Sequence, residues 1–329
     1  LIDIRSTLLT DRRHFVGMIA AGLVLGPAAA RAQSATKTRR IGVLVPVSPG
    51  VPQYEEPLRE LGWIEGRNIV TERRITNGVA FLQRGADELV RLKVDLIVTD
   101  GTDAALAAKK ATTSIPIVMA AVGDPVGMGI VASLARPGGN VTGYSMAYPE
   151  ITVKRASLLH ELLPASQRVA LIFAGTSAGR VLRKTAEDAY RSLGITAVAI
   201  DYVLSPQGVQ DGIAEAARQH ATALDIPVVL DPEPSRQVME AAMRHQLPAL
   251  VNGRTMLEAG GLMSFANKLD DQGQRVAIMI DKILRGAKPG DMPIEQPTTF
   301  ELLINLKTAA TLGVAVPQSL LLRADQVIR

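Results

Sequence analysis

Short runs of β-branched and aliphatic residues recur along this chain, each followed by a turn and a stretch rich in Ala and Leu with helical spacing. A strand that is apolar at every position must be covered on both faces, and alternating helices supply that cover on either side of a parallel sheet. The alternation therefore predicts an α/β architecture of doubly wound parallel sheets. Strands are expected at Ile41–Val45, Ile69–Arg73, Val94–Thr99, Pro116–Ala120, Arg168–Phe173, Ile195–Ile200, Ile226–Leu230 and Ala249–Val251. Helices are expected at Tyr54–Leu61, Phe81–Leu92, Ala104–Ala111, Val126–Leu134, Val153–Leu163, Leu182–Leu193, Val209–His220, Ser235–His245 and Gly273–Leu284.

The pattern runs twice. Each half opens with a strand and a helix ending in Leu-Gly, at Leu61-Gly62 and at Leu193-Gly194. Each then reaches an apolar run closed by aspartate, Asp100 in the first half and Asp231 in the second. Two similar lobes in series are expected, joined near Asn140–Gly143. Ligands of open α/β sheets sit beyond the carboxyl ends of the strands. Two lobes facing each other at those ends form a cleft that closes about a hinge.

The first 32 residues read as a separate unit. Arg12-Arg13 precedes the apolar run Val16–Leu25, and Ala30-Arg31-Ala32 supplies a small-residue cleavage site. Positive flank, short apolar core and A-x-A site together describe a secretory signal peptide, expected at 1–32. The core falls short of the roughly 20 apolar residues that span a bilayer. Arg12-Arg13 leaves twin-arginine export open beside the general route. The formal net charge of +4 falls to +2 once this segment's four Arg and two Asp are set aside. With no basic block and aromatics at 3% of the chain, nucleic-acid binding is not expected. The absence of cysteine excludes disulfides, thiolate metal sites and a cysteine nucleophile. The product is expected outside the cytoplasmic membrane, in the periplasm, and not embedded in the membrane.

The loops at the strand ends carry the candidate chemistry. Thr102 and Ser177 open helices, where free N–H groups and partial positive charge suit a carboxylate. Asp124 or Asp231 would suit an ammonium, so the set fits a small zwitterion. Each of these residues is also an acceptable cap or turn former. Gly175-Thr-Ser177-Ala-Gly179 fits G-x-S-x-G between strand and helix, which keeps a secreted serine hydrolase using Ser177 as an alternative. Asp201 or Asp231 and then His245 follow in hydrolase order, but His245 falls in a helical stretch and no His-Gly-Gly-Gly loop is present. Gly127, Gly129 and Ala132 fit G-x-G-x-x-A, yet no strand with a terminal acid follows at the distance a dinucleotide site requires. No metal spacing occurs among the four histidines. Neither cofactor nor metal is expected, and binding without catalysis is the reading these absences favour.

From Arg40 onward the chain resembles the ABC-transporter substrate-binding proteins, in the group that includes the tryptophan/tyrosine-type periplasmic binding proteins. The resemblance runs through Leu61–Asn68 (LGWIEGRN), Val94–Val98 (VDLIV), Thr113–Val118 (TSIPIV) and Gly123–Val126 (GDPV). It continues through Ser133–Gly143 (SLARPGGNVTG), Glu258–Ser264 (EAGGLMS), Ile283–Pro289 (ILRGAKP), Gln296-Pro297 and Ile304–Ala309 (INLKTA). It implies a type I periplasmic-binding-protein fold with three crossing segments. The first lobe would comprise 40–143 plus 261–295, and the second 149–260 plus 297–325. It implies a ligand in the hinge cleft, contacted by Ser48, Gly101, Thr102, Asp124, Tyr144 and Ser145 from one side. Thr176, Ser177, Asp231 and Asn252 would contact it from the other. An ABC permease is the implied partner, the solute a small polar metabolite such as an amino acid, and the protein a monomer. Presentation of the ligand to a receptor, as a sensor, is the alternative use of the same fold. Two departures stand out: Ala174–Ala178 replaces an Asn-Pro-x-Asn-Pro loop, and Ser264-Phe265-Ala266 replaces Ser-Tyr-Gly. The first lies at the expected pocket, so an aromatic amino acid does not follow from the resemblance. Without a cysteine no lipid anchor is expected, and the exported protein should diffuse freely.

Overall fold

A computed structural model of the chain describes residues 38–46, 53–76, 78–202, 205–228, 230–268 and 270–329. The expected signal peptide at 1–32 and candidate Ser48 lie outside the described residues. Residues 39–329 form one compact unit.

In chain order the first lobe contains β1 (Arg39–Val45), α1 (Glu55–Glu60), β2 (Ile69–Ile75), α2 (Leu82–Arg91) and β3 (Leu96–Asp100). It continues with α3 (Thr102–Ala111), β4 (Ile117–Val122) and β5 (Val141–Ser145). The strands pair in parallel in the order β2-β1-β3-β4-β5. Apolar side chains leave both faces of this sheet. Ile41, Val43, Leu96 and Val98 pack on one side, while Leu44, Ile97, Ile117 and Met119 pack under α2 and α3 on the other. Helix α2 answers with Leu82, Ala86 and Leu89, an i, i+4, i+7 stripe. At Gly143 a Cβ would meet the Met119 carbonyl oxygen at 2.2 Å with φ at +143°, so only glycine lets β5 lie this close to β4.

The second lobe begins with α4 (Tyr148–Leu162), β6 (Arg168–Ala174), α5 (Ser177–Ser192) and β7 (Thr196–Tyr202). It continues with α6 (Pro206–Arg218), β8 (Ala223–Ile226), α7 (Pro232–Arg244), β9 (Ala249–Val251), α8 (Arg254–Glu258) and β10 (Met263–Asn267). The chain then returns α9 (Gln272–Leu284) to the first lobe, where Val276, Met279, Ile280 and Ile283 cover the open face of its sheet. Finally β11 (Phe300–Asn305), α10 (Leu306–Leu312), α11 (Gln318–Arg323) and β12 (Gln326–Ile328) rejoin the second lobe. Its sheet runs β12-β11-β10-β9-β8-β6-β7, parallel except for β11 against β10.

Three segments cross between the lobes, and they are bonded to one another. The Ser145 amide donates to the Glu295 carbonyl at 2.8 Å, and the Glu295 amide to Gly143 at 2.9 Å. Asn267 Nδ2 donates to the Met146 carbonyl at 2.9 Å, and the Lys268 amide to Thr299 at 3.1 Å. Ala147, in the first crossing, holds a left-handed φ of +50°, with its amide donating to Ser145 Oγ at 3.1 Å.

Three sequence expectations are corrected here. Residues 261–267 belong to the second lobe, because β10 hydrogen-bonds to β9 and β11; the crossing follows β10 and precedes α9. No helix forms over Val126–Leu134. Instead the Gly127 amide donates to Asp124 Oδ1 at 2.8 Å and Gly129 turns at φ +65°, a side-chain-closed turn that removes a helical start. Strand β8 occupies Ala223–Ile226 rather than Ile226–Leu230, since Pro227 has no N–H to continue the ladder.

Candidate functional site

The carboxyl ends of β3, β4, β6, β7, β8 and β9 and the crossing segments surround a cavity of about 270 Å³. Most of its wall is apolar. Tyr148 and Ile151 come from α4, Ile172 and Phe173 from β6, Leu182 from α5, Tyr202 from β7, and Met146 from the first crossing. Tyr148 meets Phe173 edge-to-face with centroids 6.0 Å apart, a favourable geometry for paired rings. Burial pushes the Tyr202 phenol up to about 12, so it stays protonated as a neutral donor.

Polar groups enter from both lobes: Thr102 and Asp103 from α3, Thr176 before α5, Asn252 after β9, and Asn267 at the end of β10. Helix α3 begins here because Gly101 adopts φ +81°, turning the chain sharply off β3 while its amide donates to Ala121 at 3.0 Å. Helix α5 begins because Thr176 Oγ1 accepts from the Gly179 amide at 2.9 Å, a side-chain N-cap. Asp103 faces the Thr176 hydroxyl and the Ala178 amide across the cleft. Burial raises its pKa, and those two donors pull it back in part. The Asn267 Oδ1 is buried with no partner among the described residues, a group whose desolvation costs about 1–3 kcal/mol until a donor reaches it.

Among the described residues one basic side chain lines the cavity, and it is fully engaged. Arg155 donates from Nε to Asp225 Oδ1 at 3.1 Å and from Nη1 to the Val251 and Phe265 carbonyls at 2.9 and 2.8 Å. Its Nη2 donates to Asp225 and to the Leu250 carbonyl. All five N–H donors of a guanidinium are thereby used. Tyr190 Oη donates to the other Asp225 oxygen at 2.9 Å. Arg155 is thus a strut that ties α4 to β8, β9 and β10, and its charge is neutralised by Asp225.

The sequence candidates divide. Thr102, Thr176 and Asn252 line the cavity. Gly101 shapes the start of α3 beside it. Ser177 faces a wider groove on the outer side of Thr176, with Gln83, Asp103, Lys110 and Arg180. Tyr144 is 1% exposed and packs in the first-lobe core. Ser145 braces the first crossing, and Asp124 closes its own turn. Asp231 is exposed and stands at the N-cap of α7, beyond the end of β8. Its expected equivalence to Asp100, which ends β3, is corrected by the placement of β8. Asp103, Tyr148, Arg155, Phe173, Tyr202 and Asn267 were not singled out. With five Tyr and five Phe in the chain, the aromatics at strand ends and the hinge were the signal available.

The hydrolase alternative has no support in this geometry. Ser177 Oγ accepts from Arg180 Nη2 at 3.5 Å, and no described histidine bonds to it. His220 and His245 follow the carboxyl ends of α6 and α7. In parallel βα units those ends lie at the edge of the sheet opposite the helix starts, away from Ser177.

Two α/β lobes hinged by three crossings around a cavity define a binding protein of the type I periplasmic class. The sequence profile of the family described as ABC transporter substrate binding protein matches residues 55–328, and the chain belongs to that family. A tyrosine-binding protein of Clostridioides difficile (strain R20291) is 28% identical over 268 residues, 79% of this chain and 75% of that protein. The crystal structure of an ABC domain in complex with L-Trp from Streptococcus pneumoniae is 27% identical, with a TM-score of 0.77 over 89% of this chain and 100% of that one. A conserved domain protein from Vibrio cholerae is 26% identical, with a TM-score of 0.78 over 88% and 100%. The protein is a substrate-binding component of an ABC transporter, a family that works outside the cytoplasm.

Proposed function

We propose that this protein captures a small solute bearing an aromatic ring, of the size of tyrosine or tryptophan, between its lobes. The observation that carries this reading is the cavity wall. Tyr148, Phe173 and Tyr202 with Met146, Ile151, Ile172 and Leu182 form an apolar bowl, and polar groups from both lobes stand at its rim. Such a wall rewards burial of a ring, at roughly 25 cal/mol per Å² of apolar surface. The reading is narrower than the small polar metabolite expected from sequence. It agrees with the relatives named for tyrosine and found with L-Trp. Contacts from both lobes would stabilise the closed form, which an ABC permease then accepts. Export through the 1–32 signal into the periplasm completes the proposal; intact mass of the secreted protein should begin after Ala32.

A thermal-shift panel of aromatic, aliphatic, sugar and purine compounds tests the ligand class. A ligand at 100 times its Kd adds about 2.7 kcal/mol, and about 1 kcal/mol moves the melting point of a domain this large by about 2–4 °C. Shifts confined to ring-bearing compounds support the reading. Shifts confined to sugars or aliphatic acids overturn it.

A further inference from the structure

Two helices begin at the cavity from opposite lobes. Each would ordinarily offer its N-terminal amides and positive end to an anionic group. In this chain one side chain addresses both. Asp103 is the second residue of α3, and its carboxyl faces the N-cap hydroxyl of Thr176 and the Ala178 amide at the start of α5. The Gly179 amide is taken by Thr176 Oγ1 and the Gly101 amide by the Ala121 carbonyl. Asp103 thus sets a carboxyl of the protein's own where these two helix ends would favour an anion.

The remaining electrostatics point the same way. Arg155, the one basic side chain among the described residues of the wall, has every donor engaged and its charge met by Asp225. Among the described residues of the wall, Asp103 is the charge that no partner on the wall meets, and Lys110 and Arg180 stand in the outer groove that it also borders. Asn267 lines the same cavity, with its Nδ2 fixed on the Met146 carbonyl and its Oδ1 without a donor among the described residues. The Asn267 Oδ1 awaits an N–H group, while a ligand carboxylate meets the Asp103 carboxyl. Like charges brought together in a closed site select strongly against a partner.

Resting on the aromatic reading above, we infer that Asp103 sets the charge of the ligand: the cleft takes an aromatic amine through its ammonium and disfavours a ligand carboxylate. The preferred substrate class is then the decarboxylated arylethylamine, ahead of the zwitterionic amino acid and far ahead of the aromatic acid.

Titration calorimetry of the mature protein with tyramine, L-tyrosine and 4-hydroxyphenylacetate, and with the matching indole series, tests this. These probes hold the ring constant and vary only the charged groups. The amine is expected to bind at least about tenfold tighter than the amino acid, with no measurable heat from the acid. In Asp103→Asn that ratio should fall by about tenfold or more, with the melting point showing the variant to be folded. Amino acid bound as tightly as amine by the unaltered protein overturns the inference, as does an unchanged ratio in folded Asp103→Asn. Silence to every ring-bearing probe, with a shift from another compound class in the thermal panel, overturns the aromatic reading itself.

Discussion

The two lobes repeat one design but divide the labour of the cleft unequally. The first lobe is a five-stranded, all-parallel sheet, and its contribution to the cavity is short and polar: Thr102, Asp103 and the Gly123 turn. The second has seven strands, with β11 antiparallel at one side, and it supplies nearly all of the apolar wall. Its interior also holds the buried Arg155–Asp225–Tyr190 cluster, of which Arg155 reaches that wall. The contrast teaches that shape and charge are set by different lobes. A ring would dock on a preformed surface in the second lobe, and closure of the first would then bring Asp103 onto its polar end.

The largest test breaks the second lobe's strut. Asp225→Ala leaves the Arg155 guanidinium buried without its counter-charge, which should cost about 3–5 kcal/mol in urea unfolding. The first lobe's exposed network offers the contrast. Arg275 bonds Asp271 and Glu295 at 2.6 and 2.8 Å in the solvent-facing layer, and Arg275→Ala should cost no more than about 1 kcal/mol. Equal losses would mean that the buried pair is not what stiffens the second lobe.

The next test belongs to the first lobe. Burial pushes the Asp100 carboxyl up to about 7, with the Gly101 amide pulling it partly back. The native chain therefore keeps this proton between about pH 4 and 7, where the unfolded chain has lost it. Stability from this group is fully present below pH 4 and falls as pH rises to 7, by a few kcal/mol at about 1.4 kcal/mol per pKa unit. Asp100→Asn should flatten that fall in pH-dependent unfolding. An unaltered slope would remove Asp100 as its source.

A matched pair of caps separates stability from binding. Thr176→Ala and Ser205→Ala each delete a side-chain N-cap of the second lobe, and each should cost about 1 kcal/mol. Only Thr176→Ala should also weaken ligand binding, because Ser205 is outside the cavity. The smallest effect is expected at Arg236, whose partner Glu233 is one turn away on the exposed start of α7. Arg236→Ala should change unfolding by less than about 0.5 kcal/mol.

The alternation of apolar strands with helices was enough to read the doubly wound design, because burial on both faces writes itself into every strand position of Ile41–Val45 or Val169–Phe173. Strand β8 escaped for a physical reason. Its third residue is Asp225, and an ionised side chain in a four-residue strand reads as surface until its partner Arg155, on another helix, is known. The apolar run after Pro227 looked like the strand instead, which carried Asp231 into the candidate site. Asp103 was overlooked because a carboxylate in a first helical turn is ordinary. Its meaning comes from the start of α5, on the opposite lobe. Strands β11 and β12 were missed because the chain rejoins their lobe only after α9 has returned to the first, a swap invisible to local periodicity.

The three bonded crossings also govern how the molecule can move. A single tether would let two bodies swing and swivel freely, whereas three tethers cross-linked at Ser145–Glu295, Asn267–Met146 and Lys268–Thr299 suppress sliding and twisting. What remains is close to rotation about one line. Closure then follows one track, and the shape offered to a transporter when the cleft shuts is the same each time, whichever lobe the solute touched first.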